Sequence, residues 1–278
     1  MKRILITGAN SYIGTSFENW MKQYDGYEID TVDTMNNAWK NADFSKYDTV
    51  FHVAGIAHIK ETKKNAHLYY EVNRDLPVGV AQMAKVAGVK QFVFLSSMSV
   101  YGKTTGVITK NTVPKPKTNY GKSKFQAEKE ILKLKSDDFN VAILRPPMVY
   151  GYGCKGNFNS VIKLVKAFPV FPKVNNMRSM IYVDNLSNFV KVCIEKNLNG
   201  VFFPQNKDYM NTSQMAVILA QRFNKKLYLS TILGIGVNIL KPFMPILKKS
   251  FGNLIYQIDD VEFPYCVSAN ENSLEKSV

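Results

Sequence analysis

The first half of the chain alternates short apolar runs with segments of helical period. Lys2–Thr7 (KRILIT) is a run of strand length that ends in a glycine turn, and it is followed by Phe17, Trp20, Met21 and Tyr24 on one helical face. Residues 27–32, 49–55, 91–95 and 140–144 repeat the strand pattern. Between them, 69–87 places Val72, Leu76, Val80 and Met83 on one helix face, with a kink or break required at Pro77. A further helix starts at Tyr120 and carries Phe125, Ala127, Glu128, Ile131, Leu132 and Leu134 at roughly helical spacing. Strands separated by helices predict a parallel sheet covered on both faces, an α/β doubly wound architecture.

After Gly151 the alternation loosens. Residues 157–168 read as a helix, 178–183 as extended chain, and Asp184 as the cap of a helix ending at Glu195. Residues 200–203 form a short strand, and Thr212 or Ser213 caps a helix to Phe223. The expected division is a sheet domain over 1–150, with 180–205 returning to it, and a smaller C-terminal lobe from 151–179 and 206–278. The most apolar part of that lobe, 227–247, is broken by Gly234, Gly236, Pro242 and Pro245 and closed by Lys248 and Lys249. It reads as a broken helix packed in the lobe. Membrane contact is set aside because the lysines stand at its ends and not along one face.

Composition adds little to this picture: 46% hydrophobic and 21% charged residues are ordinary for a globular protein. The formal charge of +14 suits an anionic small molecule. The lysines are dispersed and form no dense stripe with interleaved aromatics, so nucleic acid is not an expected partner. Cys154, Cys193 and Cys266 are far apart, which suggests neither a disulfide framework nor a metal site. With no signal-like opening and no membrane-length apolar run, the expected location is cytoplasmic.

The chemistry begins at Gly8-Ala9-Asn10-Ser11-Tyr12-Ile13-Gly14, between the first strand and the first helix. Gly8 permits a tight turn, Gly14 permits close helix–strand packing, and the helix N-terminus attracts pyrophosphate. Asp33 stands nineteen residues after Gly14, at the end of the second strand, where an acid binds ribose hydroxyls. No Arg or Lys follows until Lys40, which favours NAD over NADP. Tyr120 and Lys124 lie four apart on one helix, so an ammonium stands near a phenol and is expected to depress its pKa for proton transfer. His52, His58 and His67 are left outside the site, His52 as a packed strand residue.

Taken together, TGANSYIG, HVAG, FLSSMSVYG and YGKSK, followed by RPPMVYG, KGNF and RSMIYVDNL, resemble the extended short-chain dehydrogenase/reductase family. Within it the chain is most similar to the NAD-dependent nucleotide-sugar epimerases and dehydratases of UDP-glucose 4-epimerase type. The resemblance implies a Rossmann-type NAD-binding domain and a substrate-binding C-terminal lobe. It implies Ser97, Tyr120 and Lys124 as catalytic residues. The cofactor would be held by Gly8, Ser11, Tyr12, Ile13, Gly14 and Asp33, with Asp43 and Phe44 beside the adenine. Val53, Ala54, Gly55 and Ala57 would line its path, Asn73 would support its active-site side, Tyr120 and Lys124 would reach its ribose end, and Pro147 would flank the nicotinamide. Substrate would meet Ser97, Met98, Tyr120, Met148, Asn157 and Arg178, the last gripping the nucleotide diphosphate. No metal is implied, and a homodimer paired through helices around the Tyr-Lys helix is.

The departures narrow the activity. Ser11 replaces the usual middle glycine and Met148 an asparagine common in epimerases. Met98 and Ser99 stand where 4,6-dehydratases of the family carry Asp-Glu, so the agents for that elimination are missing. The leading expectation is a UDP-hexose 4-epimerase for surface polysaccharide. The competing ones are an NAD(P)H-dependent reductase of a UDP-4-keto-6-deoxy-N-acetylhexosamine and a non-catalytic NAD-binding sensor or scaffold.

Overall fold

The computed structural model of the 278-residue chain describes every residue except 36, 58, 60 and 259–264, with the backbone alone at 38 and 245. His58 therefore lies outside the described residues. In chain order come β1 (Lys2–Thr7), α1 (Tyr12–Met21), β2 (Tyr27–Val32), β3 (Thr49–His52), α2 (Ala66–Tyr70), α3 (Leu76–Val86), β4 (Gln91–Leu95), β5 (Gly106–Ile108), α4 (Asn119–Leu132) and β6 (Asn140–Leu144). Then follow β7 (Met148–Tyr150), α5 (Asn157–Ala167), β8 (Val170–Pro172), β9 (Met180–Tyr182), α6 (Val183–Glu195), β10 (Gly200–Phe202), α7 (Thr212–Arg222), β11 (Tyr228–Ser230), α8 (Thr231–Leu240), α9 (Pro245–Phe251), β12 (Leu254–Tyr256) and α10 (Asn270–Glu275). Among the described residues no helix is long and apolar enough to cross a membrane.

The chain divides into two compact units. One comprises Met1–Gly102, Pro114–Pro146 and Leu186–Pro204; the other comprises Lys103–Val113, Pro147–Asn185 and Gln205–Val278. The first contains a six-stranded sheet in the order β10-β6-β4-β3-β1-β2, with every pairing parallel. The predicted doubly wound sheet is thus observed. Its central strands are buried throughout, as they must be when helices cover both faces. Leu5, Val50, Phe92, Phe94, Val141 and Ile143 face Val80, Ala81 and Ala84 of α3 and Ala127 and Ile131 of α4 in one cluster. Phe51, pointing the other way, meets Phe17 of α1 edge-on at 5.2 Å. From β1 the chain steps outward to β2 in one direction and, through β3, to β4, β6 and β10 in the other. The reversal lies between β1 and β3, where ligands bind in such sheets.

The helix expected over 69–87 does not break at Pro77. Between α2 and α3 the residues Glu71–Asp75 form a π-helical turn, and Pro77 falls in the first turn of α3, where its missing N–H is tolerated. His52 is fully buried, its Nδ1 bonded to Thr7 Oγ1 at 2.7 Å and its ring beside Phe92 and Phe94.

The second unit is built of short parallel pairs, β7 with β9, β8 with β11 and β5 with β12. Three readings of this part need correction. Asp184 lies inside the first turn of α6, since the helix already begins at Val183. Asn211, and not Thr212 or Ser213, caps α7: its carboxamide oxygen accepts from Ser213 N and Gln214 N. The stretch 227–247 is broken at its prolines and not at its glycines: α8 ends at Leu240, before Pro242, α9 starts at Pro245, and Gly234 and Gly236 lie inside α8. Gly234 is tolerated there because the helix runs hard against backbone. A Cβ at that position would fall 2.1 Å from the Lys173 carbonyl oxygen.

Candidate active site

The glycine loop is shaped by contact between the ends of β1 and β3. Gly8 has φ +116°, and a Cβ there would lie 2.7 Å from Ala54 N. Ala54 N and Val53 N both donate to Thr7 O, which locks the two strand ends together. Ser11 caps α1 by accepting from Gly14 N at 3.2 Å, and α1 has no acid in its first turn to repel an anion. The serine in place of the middle glycine is therefore a helix cap. Asp33 follows β2 with an exposed carboxylate that accepts from Met35 N. Asp43 caps a short 3₁₀ turn through Ser45, while the Phe44 ring is buried in the core and offers only its backbone to a ligand. This bare cradle, a helix N-terminus and an exposed acid after β2 fit a dinucleotide.

The second half of the site gathers at the ends of β3 and β4. Ser97 leaves β4 with extended backbone, and its Oγ accepts from Ser99 N at 3.1 Å. Thr118 caps α4 through Gly121 N, which starts the helix one residue before Tyr120. The start of α4 packs on the chain just after Ser97: a Cβ at Gly121, next to Tyr120, would lie 2.6 Å from Ser99 O. One turn on, Lys124 is buried, donates to Leu95 O at 2.9 Å and lies over the Phe94 ring. Asn73, fully buried in the π-helical turn, pairs both amide groups with the backbone of Ile56 at 2.9 Å. Gly55 lies between them: a Cβ there would meet Asn73 Oδ1 at 2.9 Å and Lys124 Nζ at 3.3 Å. Gly55 and Ala57 are exposed, Tyr12 and Ile13 are half-buried, and the Met98 side chain is buried.

The expected depression of the Tyr120 pKa is not present. Burial pushes the phenol up, the nearby Ser97 hydroxyl partly offsets this, and the Lys124 charge is not among the influences on it. Burial also pushes the Lys124 ammonium down, to about 7, with Glu128 pulling the other way. The ammonium is directed at the Leu95 carbonyl. Burial, followed by the Lys124 charge, holds His52 well below its usual range, so it is a neutral core residue.

Glu128, which its spacing places among the apolar positions of α4, is instead a buried charge. It is buried, accepts from Ser96 Oγ, and takes the Arg145 guanidinium in a two-pronged ion pair whose shorter arm is 2.6 Å. Arg145 also donates to Tyr101 OH at 2.8 Å. Residues 120, 124 and 128 therefore form one polar stripe of α4. The spacing i, i+4, i+8 was available in the sequence as a signal.

In the second unit, Met148 opens β7, Pro147 is buried just before it, and Asn157 is exposed at the start of α5. Arg178 exchanges backbone hydrogen bonds with Met210 and donates from Nη1 to Gly252 O at 2.9 Å. Burial lowers its pKa, and among the described residues it has no carboxylate partner.

Residues 4–209 match the NAD dependent epimerase/dehydratase family. The chain belongs to that family. A UDP-glucose 4-epimerase of Vibrio cholerae is 31% identical over 251 residues, covering 81% of this chain and 76% of the relative. The N-acetyl-alpha-D-glucosaminyl-diphospho-ditrans,octacis-undecaprenol 4-epimerase of Escherichia coli O157:H7 is 28% identical over 244 residues, 81% of this chain and 73% of the relative. In fold, the chain is similar to a UDP-glucuronic acid 4-epimerase from Bacillus cereus in complex with NAD, with TM-score 0.77 at 19% identity over 99% of this chain and 95% of that one. This family member is an NAD-dependent enzyme of the nucleotide-sugar epimerase/oxidoreductase class.

Proposed function

We propose that the enzyme is a 4-epimerase of a UDP-linked hexose or hexosamine, working through Ser97, Tyr120 and Lys124. The observation that carries this reading is the grouping of Ser97, at the end of β4, with Tyr120 and buried Lys124, one turn apart on an α4 whose start packs on Ser99. Tyr120, as phenolate, takes the proton of the sugar C4 hydroxyl. Ser97 bonds to the same sugar oxygen and keeps it within reach of the phenol. In the structure the Lys124 ammonium faces the Leu95 carbonyl and does not act on the phenol. Lys124 favours the phenolate when its ammonium turns toward Tyr120 as NAD binds, and its pKa near 7 makes its charge sensitive to that change. NAD, held by the Gly8–Gly14 loop, Asp33, Asn73 and Lys124, supplies reversible hydride acceptance at C4 when bound. After the 4-keto sugar has presented its other face, Tyr120 returns the proton. Asn157 and Arg178 of the second unit are assigned the diphosphate; a guanidinium with no carboxylate partner among the described residues suits phosphate oxygens.

The same chemistry serves a hexosamine carried on a polyprenyl diphosphate, the kind of compound named for the Escherichia coli relative. An exposed apolar helix in the second unit, treated below, favours including that class. The test begins with protein purified without added cofactor, denatured, and assayed for released NAD(H). Near-stoichiometric NAD, with C4 inversion on a panel of UDP-hexoses and polyprenyl-diphosphate hexosamines, is the expected result. Little bound nucleotide, together with NAD(P)H oxidation on a UDP-4-keto-6-deoxy sugar, would overturn the epimerase in favour of a reductase. Bound NAD without turnover on any sugar would make the chain a sensor.

A further inference from the structure

Helix α8 is inside out. Its buried residue is Gly234, seated on the Lys173 carbonyl, while its branched side chains face solvent. Ile232, Ile235 and Ile239 follow the spacing of one helix face, and Ile232 and Ile239 are 82% and 63% exposed. The chain beyond α8 continues the surface with Phe243, 80% exposed, and Ile246, 68% exposed at the start of α9. A surface helix in a globular protein normally turns its apolar stripe inward. Single exposed hydrophobics need no explanation, but a run of this kind marks an interaction site.

Charge selects the occupant. From 225 to 258 the chain has five lysines, Lys225, Lys226, Lys241, Lys248 and Lys249, and no Asp or Glu. The Lys225 ammonium is engaged by the carbonyls of Val165 and Lys166. Lys241 follows α8 directly, and Lys248 and Lys249 lie in the last turn of α9. A second copy docked by a two-fold axis would bring the same lysines toward one another with no acid from 225–258 to answer them. Lys241 donates to Asn238 Oδ1, and among the described residues Lys241, Lys248 and Lys249 form no ion pair. Exposed apolar side chains flanked by such lysines suit a surface that is hydrocarbon below and anionic above.

We propose that the face formed by Ile232, Ile235, Ile239, Phe243 and Ile246, with Lys241, Lys248 and Lys249, docks on the surface of a bilayer bearing anionic headgroups. The isoleucines and Phe243 enter the headgroup boundary, and the lysines meet lipid phosphates. Neither α8, of 10 residues, nor α9, of 7, spans the membrane, so the attachment is peripheral and reversible. The sequence reading set membrane contact aside because the lysines flank the apolar run. On a helix whose apolar side faces solvent, flanking lysines lie at headgroup level. The proposal goes beyond the C4 chemistry and does not depend on the sugar.

The test is co-sedimentation of the full chain with vesicles of phosphatidylcholine alone and of phosphatidylcholine with phosphatidylglycerol, at low and high salt. Binding to the anionic vesicles, weakened by salt and nearly absent with phosphatidylcholine alone, is expected. The exposed triple variant Ile232→Ser/Ile239→Ser/Phe243→Ser and the charge variant Lys241→Gln/Lys248→Gln/Lys249→Gln should each lose about tenfold or more in partitioning. Thermal melts confirm that both variants are folded. The wild-type comparison between the two vesicle types tests the proposal even if one variant is not. No binding to anionic vesicles, or binding that the serine variant leaves unchanged, overturns it. A wild-type dimer in sedimentation velocity that the serine variant splits, without vesicle binding, also overturns it and assigns the face to a second copy. No sugar or cofactor enters the assay, so a wrong assignment of the reaction cannot imitate either result.

Discussion

Helices α4 and α8 break the rule of apolar inside and polar outside in opposite directions. In the first unit, α4 buries Lys124 and Glu128. In the second, α8 buries a glycine and exposes isoleucine. Each departure costs free energy that the rest of its unit must supply. On α4 the cost is desolvation, offset by Arg145, Ser96 and the Leu95 carbonyl. On α8 it is apolar surface left in water. A hydrophobic pattern read along the chain sees both helices as ordinary, because it counts residue types and not what each side faces.

The largest expected effect is on chemistry. Tyr120→Phe removes the proton-transfer group and keeps the ring, so kcat should fall by roughly 10²–10⁴-fold while NAD remains bound in the denaturation assay. Full activity in that variant would refute the catalytic assignment. If instead the variant lost its NAD as well, the Tyr120 hydroxyl would be part of cofactor binding and not of chemistry alone.

Next comes the buried ion pair. Glu128→Ala takes away the carboxylate that answers the buried Arg145 guanidinium, and should cost about 3–5 kcal/mol in urea unfolding. Because Glu128 also accepts from Ser96, next to Ser97, any folded fraction should lose kcat more than it gains KM. The double change Glu128→Leu/Arg145→Met removes both charges and should recover much of the stability but not the kcat. Recovery of both would reduce the pair to packing.

Lys124→Met probes the same stripe through pH. The folded pKa of Lys124, about 7, lies below its unfolded value of about 10.5. The folded state therefore holds fewer protons than the unfolded one between these limits, so stability from this group rises with pH there. Below about pH 7 the cost of burying the ammonium is fully present, on the order of a few kcal/mol. Lys124→Met should stabilise the apo protein at pH 6 and flatten its stability between pH 7 and 10, with loss of turnover. An unchanged pH slope in denaturant titrations would mean that Lys124 is not the group responsible.

These residues also show what could be read in advance. The sheet was legible because buried parallel strands are continuous apolar runs, and because a glycine loop between the first strand and the first helix marks the start of such a sheet. Ser97, Tyr120 and Lys124 are picked out by motif, and that the start of α4 packs beside the chain just after Ser97 is a tertiary fact that no spacing contains. The direction of the Tyr120 pKa was misjudged because helical spacing places the ammonium near the phenol but does not say where it points. The Leu95 carbonyl, from a strand 29 residues earlier in the chain, decides that. Asn211 was passed over as the cap of α7 for the neighbouring hydroxyls, since three capping residue types stand in a row there and only backbone geometry separates them. On α8 the glycines were read as breaks, because the Lys173 carbonyl that makes room for Gly234 comes from a distant part of the chain.

The smallest expected effect is the sharpest test of the contrast between the two helices. Ile131 and Ile239 are the same side chain on two helices, one fully buried in the core cluster and the other 63% exposed. Ile131→Ser removes a buried side chain, opens a cavity and leaves a hydroxyl in apolar surroundings, so a loss of about 3–5 kcal/mol is expected. Ile239→Ser gives up contacts that are largely with water and should change stability by no more than about 0.5 kcal/mol. If it cost as much as Ile131→Ser, the face would be covered in solution by protein, and melting would become concentration-dependent if the cover were a second copy. A near-zero change in the melt, beside a measurable loss of vesicle binding from the same single substitution, would separate what this helix does for the fold from what it does outside it.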